Sequence, residues 1–124
     1  MVPLTVRPGS LTLAPSNALA RSAHVAVTVT DARGHGAGWT LLARIAGPTR
    51  TVVVTGVVVS CGAHSTCTLP RARVRYPVLL SSLRAVPVLD AQRGTGMGTI
   101  SATLGFGQQS FAAGASLRFS VRPS

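Results

Sequence analysis

Apolar and polar residues alternate with a period of two along most of this chain. In Ala23-His24-Val25-Ala26-Val27-Thr28-Val29-Thr30 the odd positions are apolar and the even ones mostly polar. Trp39, Leu41, Ala43 and Ile45 share one face of a second run, opposite Thr40, Leu42 and Arg44. Ile100, Ala102, Leu104 and Phe106 alternate with Thr99, Ser101, Thr103 and Gly105. Leu117, Phe119 and Val121 alternate with Ser116, Arg118, Ser120 and Arg122. Each run predicts a half-buried antiparallel strand with one wet face.

Other runs carry less contrast. Thr51 to Val59 is Val-rich at both parities apart from Thr55 and Gly56, which predicts a central strand. Ala72, Val74 and Tyr76 predict a strand ending at Pro77. Ala85 to Leu89 predicts another, with Pro87 marking an edge or a bulge. Leu4 to Val6 and Leu11 to Leu13 are short candidates. Turn clusters at Pro8-Gly9-Ser10, Pro15-Ser16-Asn17, Gly47-Pro48 and Gly105 to Gln109 separate the runs. No segment has a helical stripe. The expected fold is all-β, an antiparallel β-sandwich of about eight to ten strands, with barrel closure as the alternative.

Composition agrees with a single domain spanning 1–124, long enough to bury roughly two-thirds of the unfolded chain's surface. Apolar residues make up 46% and charged residues 11%, the reverse of a disordered chain. No window reaches the roughly 18 continuous apolar residues of a membrane span. Met1-Val2-Pro3-Leu4-Thr5-Val6-Arg7 lacks the regions of a signal peptide. Export is therefore expected to depend on a signal missing from this sequence or on another route.

Charge narrows the partners. Twelve basic residues, all Arg, face two acidic ones, for a formal net charge of +10. Such a surface attracts polyanions, and Arg suits bidentate contacts to phosphate and carboxylate. The competing explanation is a GC-rich genome that favours Arg over Lys. Aromatic residues are only 4% of the chain, with no alternating aromatic–basic platform, so specific nucleic-acid binding is not expected.

Both acidic residues open Gly-rich loops. Asp31-Ala32-Arg33-Gly34-His35-Gly36-Ala37-Gly38-Trp39-Thr40-Leu41 has a degenerate copy in Asp90-Ala91-Gln92-Arg93-Gly94-Thr95-Gly96-Met97-Gly98-Thr99-Ile100. The Gly-x-Gly-x-Gly spacing differs from a dinucleotide fingerprint, and a strand rather than a helix follows, so no helix N-terminus can hold phosphate. What remains is a tight connection using positive φ or a recognition loop. Each Asp is expected to close its own loop. A calcium site shared by Asp31 and Asp90 would have only two carboxylates among arginines, and no metal or cofactor is expected. Trp39 reads as core, with a sugar-stacking platform as the alternative.

Cys61 and Cys67, separated by Gly62-Ala63-His64-Ser65-Thr66, permit a small disulfide loop contributing about 2 kcal/mol. Free thiols are the other reading. A metal site would have three ligands at unusual spacing and no fourth. In Arg71-Ala72-Arg73-Val74-Arg75-Tyr76 a strand would project three guanidinium groups from one face at about 6.7 Å intervals. They repel one another unless something anionic lies across them. Arg118 and Arg122 would extend that patch if the strands are neighbours. The competing reading is a solvated face that discourages edge pairing. His24, His35 and His64 are scattered and no nucleophile motif occurs, so catalysis is not expected.

The segment Val29-Thr30-Asp31-Ala32-Arg33-Gly34 leading into Gly38-Trp39-Thr40-Leu41 resembles the WxL domain, a surface module of Gram-positive and related bacteria. The resemblance runs from about Leu11 to Val121. Trp39 and Leu41 match the motif's tryptophan and leucine, and Asp31, Gly38, Asp90, Gly96 and Gly98 match its loop positions. Leu117-Arg118-Phe119 stands where the family carries a second Trp-x-Leu-like element. The resemblance implies an extracellular, cell-surface or cell-wall location and non-covalent binding of peptidoglycan or an associated anionic polymer. The arginines would then meet peptide-stem carboxylates or teichoic phosphates. The alternative is a structural subunit of a surface layer or filament, self-associating through strand edges, with Leu4 to Leu13 as the donated segment.

Overall fold

A computed structural model of the chain describes residues 11–20, 24–32, 38–46, 52–61, 74–92, 98–106 and 115–123. The alternating runs become strands: β1 (Leu11–Ala14), β2 (Asn17–Ala20), β3 (His24–Asp31), β4 (Trp39–Ala46), β5 (Val52–Cys61), β6 (Val78–Leu80), β7 (Val86–Ala91), β8 (Gly98–Phe106) and β9 (Ala115–Pro123). They form two antiparallel sheets, ordered β1-β3-β8-β5-β6 and β2-β9-β4-β7. The expected all-β sandwich is the observed fold. Two open sheets sharing no strand replace the closed-barrel alternative. Among the described residues no helix is long and apolar enough to cross a membrane.

The core lies where the inward parity of each run meets the other sheet. Val27 and Val29 of β3 and Ile100, Ala102 and Leu104 of β8 face Trp39, Leu41, Ala43 and Leu117 of the second sheet. All of them are essentially fully buried. Burying each large side chain contributes roughly 1.5–3 kcal/mol, and this is what fixes which face of every strand looks outward.

The valines of β5 have a different cause from the one expected. The strand is interior to its sheet as expected, between β8 and three-residue β6, but its valines are not buried on both faces. Val52 and Val54 point inward and are fully buried. The β5–β8 register then shifts between Val54 and Gly56. One extra residue changes the inward parity, so Val57, Val59 and Cys61 pack on the core while Val58 is 73% exposed. Valine at both parities marks a bulge here, not burial of both faces.

Other expectations need correction. Val74 to Pro77 is irregular rather than a strand; Arg71 to Arg73 lie outside the described residues, as do Leu4 to Val6, Pro8 to Ser10 and Gly47-Pro48. Proline lacks an N–H to continue a ladder, and the Tyr76 hydroxyl instead donates to the Val88 carbonyl at 2.6 Å, pinning the segment to β7. Pro15-Ser16 is where the chain changes sheets, and Asn17 begins β2. The Ser16 carbonyl accepts from the Phe119 N–H at 2.7 Å. Of the turn expected at Gly105 to Gln109, Gly105 and Phe106 continue β8, and Gly107 to Gln109 lie outside the described residues. Pro87 does lie on an edge strand, beside a register shift opposite Leu41 and Leu42. Cys61 is not a free thiol; Cys67 lies outside the described residues.

Candidate functional site

At one end of the sandwich the chain passes twice between the sheets, through two connections, or arches. The chain leaves β3 for β4, and later β7 for β8, crossing between sheets each time. Because β3 pairs with β8 and β4 with β7, the strand ends that flank the two arches stand side by side, with Asp31 opposite Gly98 and Trp39 opposite Ala91. Gly38 and Gly98 enter the second strand of each arch at φ values of 90° and 82°. A Cβ on Gly38 would collide with the Ala91 carbonyl oxygen. Counting back from these glycines, Asp31 corresponds to Ala91 and not to Asp90, which corrects the sequence alignment by one residue. The arch tips, with Arg33, Arg93 and Gly96, lie outside the described residues.

That one-residue offset separates the carboxylates. Asp31 is 4% exposed at the inner end of β3, whereas Asp90 sits between buried Leu89 and Ala91 and faces outward from β7. No buried side-chain polar atom among the described residues lacks a hydrogen-bond partner. The two acids therefore face different ways, Asp31 toward the core and Asp90 away from it. Trp39 has no exposed surface, so its indole is core and offers no platform to a sugar. Leu41, two positions on, is equally buried.

The outer face of the second sheet carries the charge. Arg44 lies between buried Ala43 and Ile45, and Arg118 between buried Leu117 and Phe119, so both point away from the core. The register of β4 against β9 sets Arg44 directly opposite Arg118. Cross-strand neighbours have Cβ atoms about 4.5–5.5 Å apart, and like charges so placed destabilise a sheet. Asn17 of β2 flanks Arg118 on the other side. Arg122 lies four residues along β9, about 13 Å away. It is opposite Thr40, whose other neighbour is Asp90, so an acid shares the row of Arg122. Among the described residues no carboxylate shares the row of Arg44 and Arg118.

The expected arginine patch is thus rearranged. Arg75 is exposed but belongs to the irregular segment beside β7, while β9 has β2 and β4 as its neighbours. Arg75 and Arg118 are consequently not adjacent, and Arg71 and Arg73 lie outside the described residues. Arg118 and Arg122 keep the outward positions expected of them and gain Arg44, which sequence reasoning missed. Its signal was present: an arginine on the polar parity of a strand whose other face is entirely core. Tyr76 is held above the usual phenol range of about 10, first by burial and then by the negative charge of Asp90.

Among the described residues no group of three or more His, Cys, Asp or Glu side chains could hold a metal. No protein-family model matches the chain, and no curated protein or solved structure matches it. What the face can do chemically rests on its own residues: three outward guanidinium groups, two of them paired across neighbouring strands.

Proposed function

We propose that this chain is a non-catalytic surface module that binds an anionic cell-wall polymer across the outer face of its second sheet. The Arg44–Arg118 cross-strand pair carries the reading. Two like charges in register cost roughly 0.2–1 kcal/mol relative to a neutral pair, and a bound anion reverses the sign of that term. Guanidinium groups engage carboxylate or phosphate bidentately. Asn17 and the exposed hydroxyl of Ser120 add uncharged hydrogen-bonding groups between and beside the charges. Peptide-stem carboxylates and teichoic phosphates both fit this chemistry. The resemblance of Asp31 to Leu41 to the WxL motif is what directs the reading to the wall. A Cys61–Cys67 disulfide belongs to the same proposal and would suit an oxidising, extracellular setting.

Co-sedimentation with purified sacculi, before and after removal of teichoic acids, tests the reading. Binding is expected to fall at least tenfold in an Arg44→Ser/Arg118→Ser variant and to weaken as salt rises. Undiminished retention of that folded variant would place the contact elsewhere and overturn the assignment.

A further inference from the structure

The two outer faces of the sandwich differ in kind. On the first sheet, β3 presents His24, Ala26, Thr28 and Thr30, and β8 presents Thr99, Ser101 and Thr103. No arginine occurs on this face among the described residues, in a chain of net charge +10. In one row Gly56 of β5 is opposite Gly105 of β8, and the space over the two glycines is bordered by exposed His24 of β3, opposite Gly105 on its other side, and by Thr55, whose hydroxyl donates to the Gly105 carbonyl at 3.2 Å. Nothing lies within 4 Å of the place a Gly56 Cβ would occupy. Beside this hollow, two residues along the same strand, stands Val58, 73% exposed and opposite Thr103. Leu79 of β6, 60% exposed, stands at the edge of the same sheet opposite Val53, on the other side of the bulge from Val58.

We infer that this face is a self-association surface, and that two copies meet across it with Val58 of each seated in the Gly56–Gly105 hollow of the other. A knob and a hole on one face, about 7 Å apart, satisfy a two-fold contact, in which each residue's partner is reciprocated by symmetry. Charge selects the occupant. Two copies carrying +10 each repel, and contact through the second sheet would stack arginine on arginine. Contact through the first sheet keeps the charged faces on opposite outer sides. The face is about 20 Å by 25 Å, on the order of 500 Å² per copy, at the low end for specific interfaces. The dimer is accordingly weak and reached at high local concentration. If the proposed polymer binding holds, the pair presents two binding faces pointing apart, and cross-links polymer strands with gain by avidity.

Sedimentation velocity over micromolar to millimolar concentration, at low and high salt, tests the inference. Association is expected to strengthen as salt screens the +10 repulsion, the opposite of the salt dependence expected for polymer binding. The two proposals can therefore fail separately. Gly56→Val fills the hollow from a position where an added Cβ meets nothing within 4 Å, and Val58→Arg brings a charge to the contact. Both should remain monomeric where the parent is more than half dimeric, with unfolding midpoints showing that they fold. A parent that stays monomeric at millimolar concentration in high salt, or association that persists in both variants, overturns the inference.

Discussion

Substitution of Gly38 by alanine separates backbone requirement from mere tolerance, because a second glycine serves as its control. Gly38 holds φ at 90°, and an added Cβ would strike the Ala91 carbonyl oxygen, a backbone atom fixed by the β4–β7 ladder. The left-handed conformation costs an alanine about 1–2 kcal/mol. Overpacking against an immobile neighbour adds about 1–3 kcal/mol. The sum, about 2–5 kcal/mol, is a large share of a typical domain's stability of about 5–15 kcal/mol. Gly56 meets nothing within 4 Å, and an alanine there is expected to raise stability by about 0.5–1 kcal/mol through the lost freedom of the unfolded chain. Urea titrations followed by the fluorescence of Trp39 would read both. With slopes of about 1–3 kcal/mol per molar urea, Gly38→Ala should lower the midpoint by about 1 M or more. Gly56→Ala should leave it unchanged or higher. A Gly38→Ala midpoint within experimental error of the parent's would refute the tight-arch geometry.

The same titrations test the parity switch in β5: Val54→Ala should cost about 1–3 kcal/mol, whereas Val58→Ala, at an exposed position, should stay within about 0.5 kcal/mol. Equal losses would contradict the bulge. Tyr76 supplies a pH dependence. Its phenol ionises less readily folded than unfolded, so its contribution is intact below about pH 10 and is lost as pH rises through the folded value. Tyr76→Phe should remove that alkaline loss while costing about 1 kcal/mol at neutral pH from the unmet Val88 carbonyl; an unchanged alkaline profile would assign the loss elsewhere. Arg44→Thr should raise stability by about 0.2–1 kcal/mol at low salt while weakening polymer binding, with the gain fading as salt rises. A net loss of stability would mean that the Arg44–Arg118 contact is not repulsive.

Alternation made the faces of β3, β4, β8 and β9 legible, because burial of every second residue is what drives those strands together. It left pairing open. Register is a tertiary property, so nothing local in Ala43-Arg44-Ile45 or Leu117-Arg118-Phe119 declares that the two arginines meet. The three-arginine run at Arg71 to Arg75 looked stronger for the opposite reason: it is contiguous, but Pro77 and the Tyr76 anchor keep Val74 to Pro77 from extending as a strand. In β5 the bulge at Thr55 and Gly56 disguised a one-faced strand as a two-faced one. Asp31 and Asp90 open similar loops, yet a single-residue offset sends one inward and the other outward. β2 and β6, at four and three residues, are too short for periodicity to register.

The central claim is that an anion lies across Arg44 and Arg118, and the most direct measurement is residue-resolved NMR during titration with a soluble teichoic-acid or peptidoglycan fragment. The account predicts shift changes concentrated at Asn17, Arg44, Arg118, Ser120 and Arg122, saturating with the polymer and abolished in Arg44→Ser/Arg118→Ser. Changes confined to the arches or to the Thr- and Ser-bearing face of β3 and β8, with the arginine face silent, would contradict it.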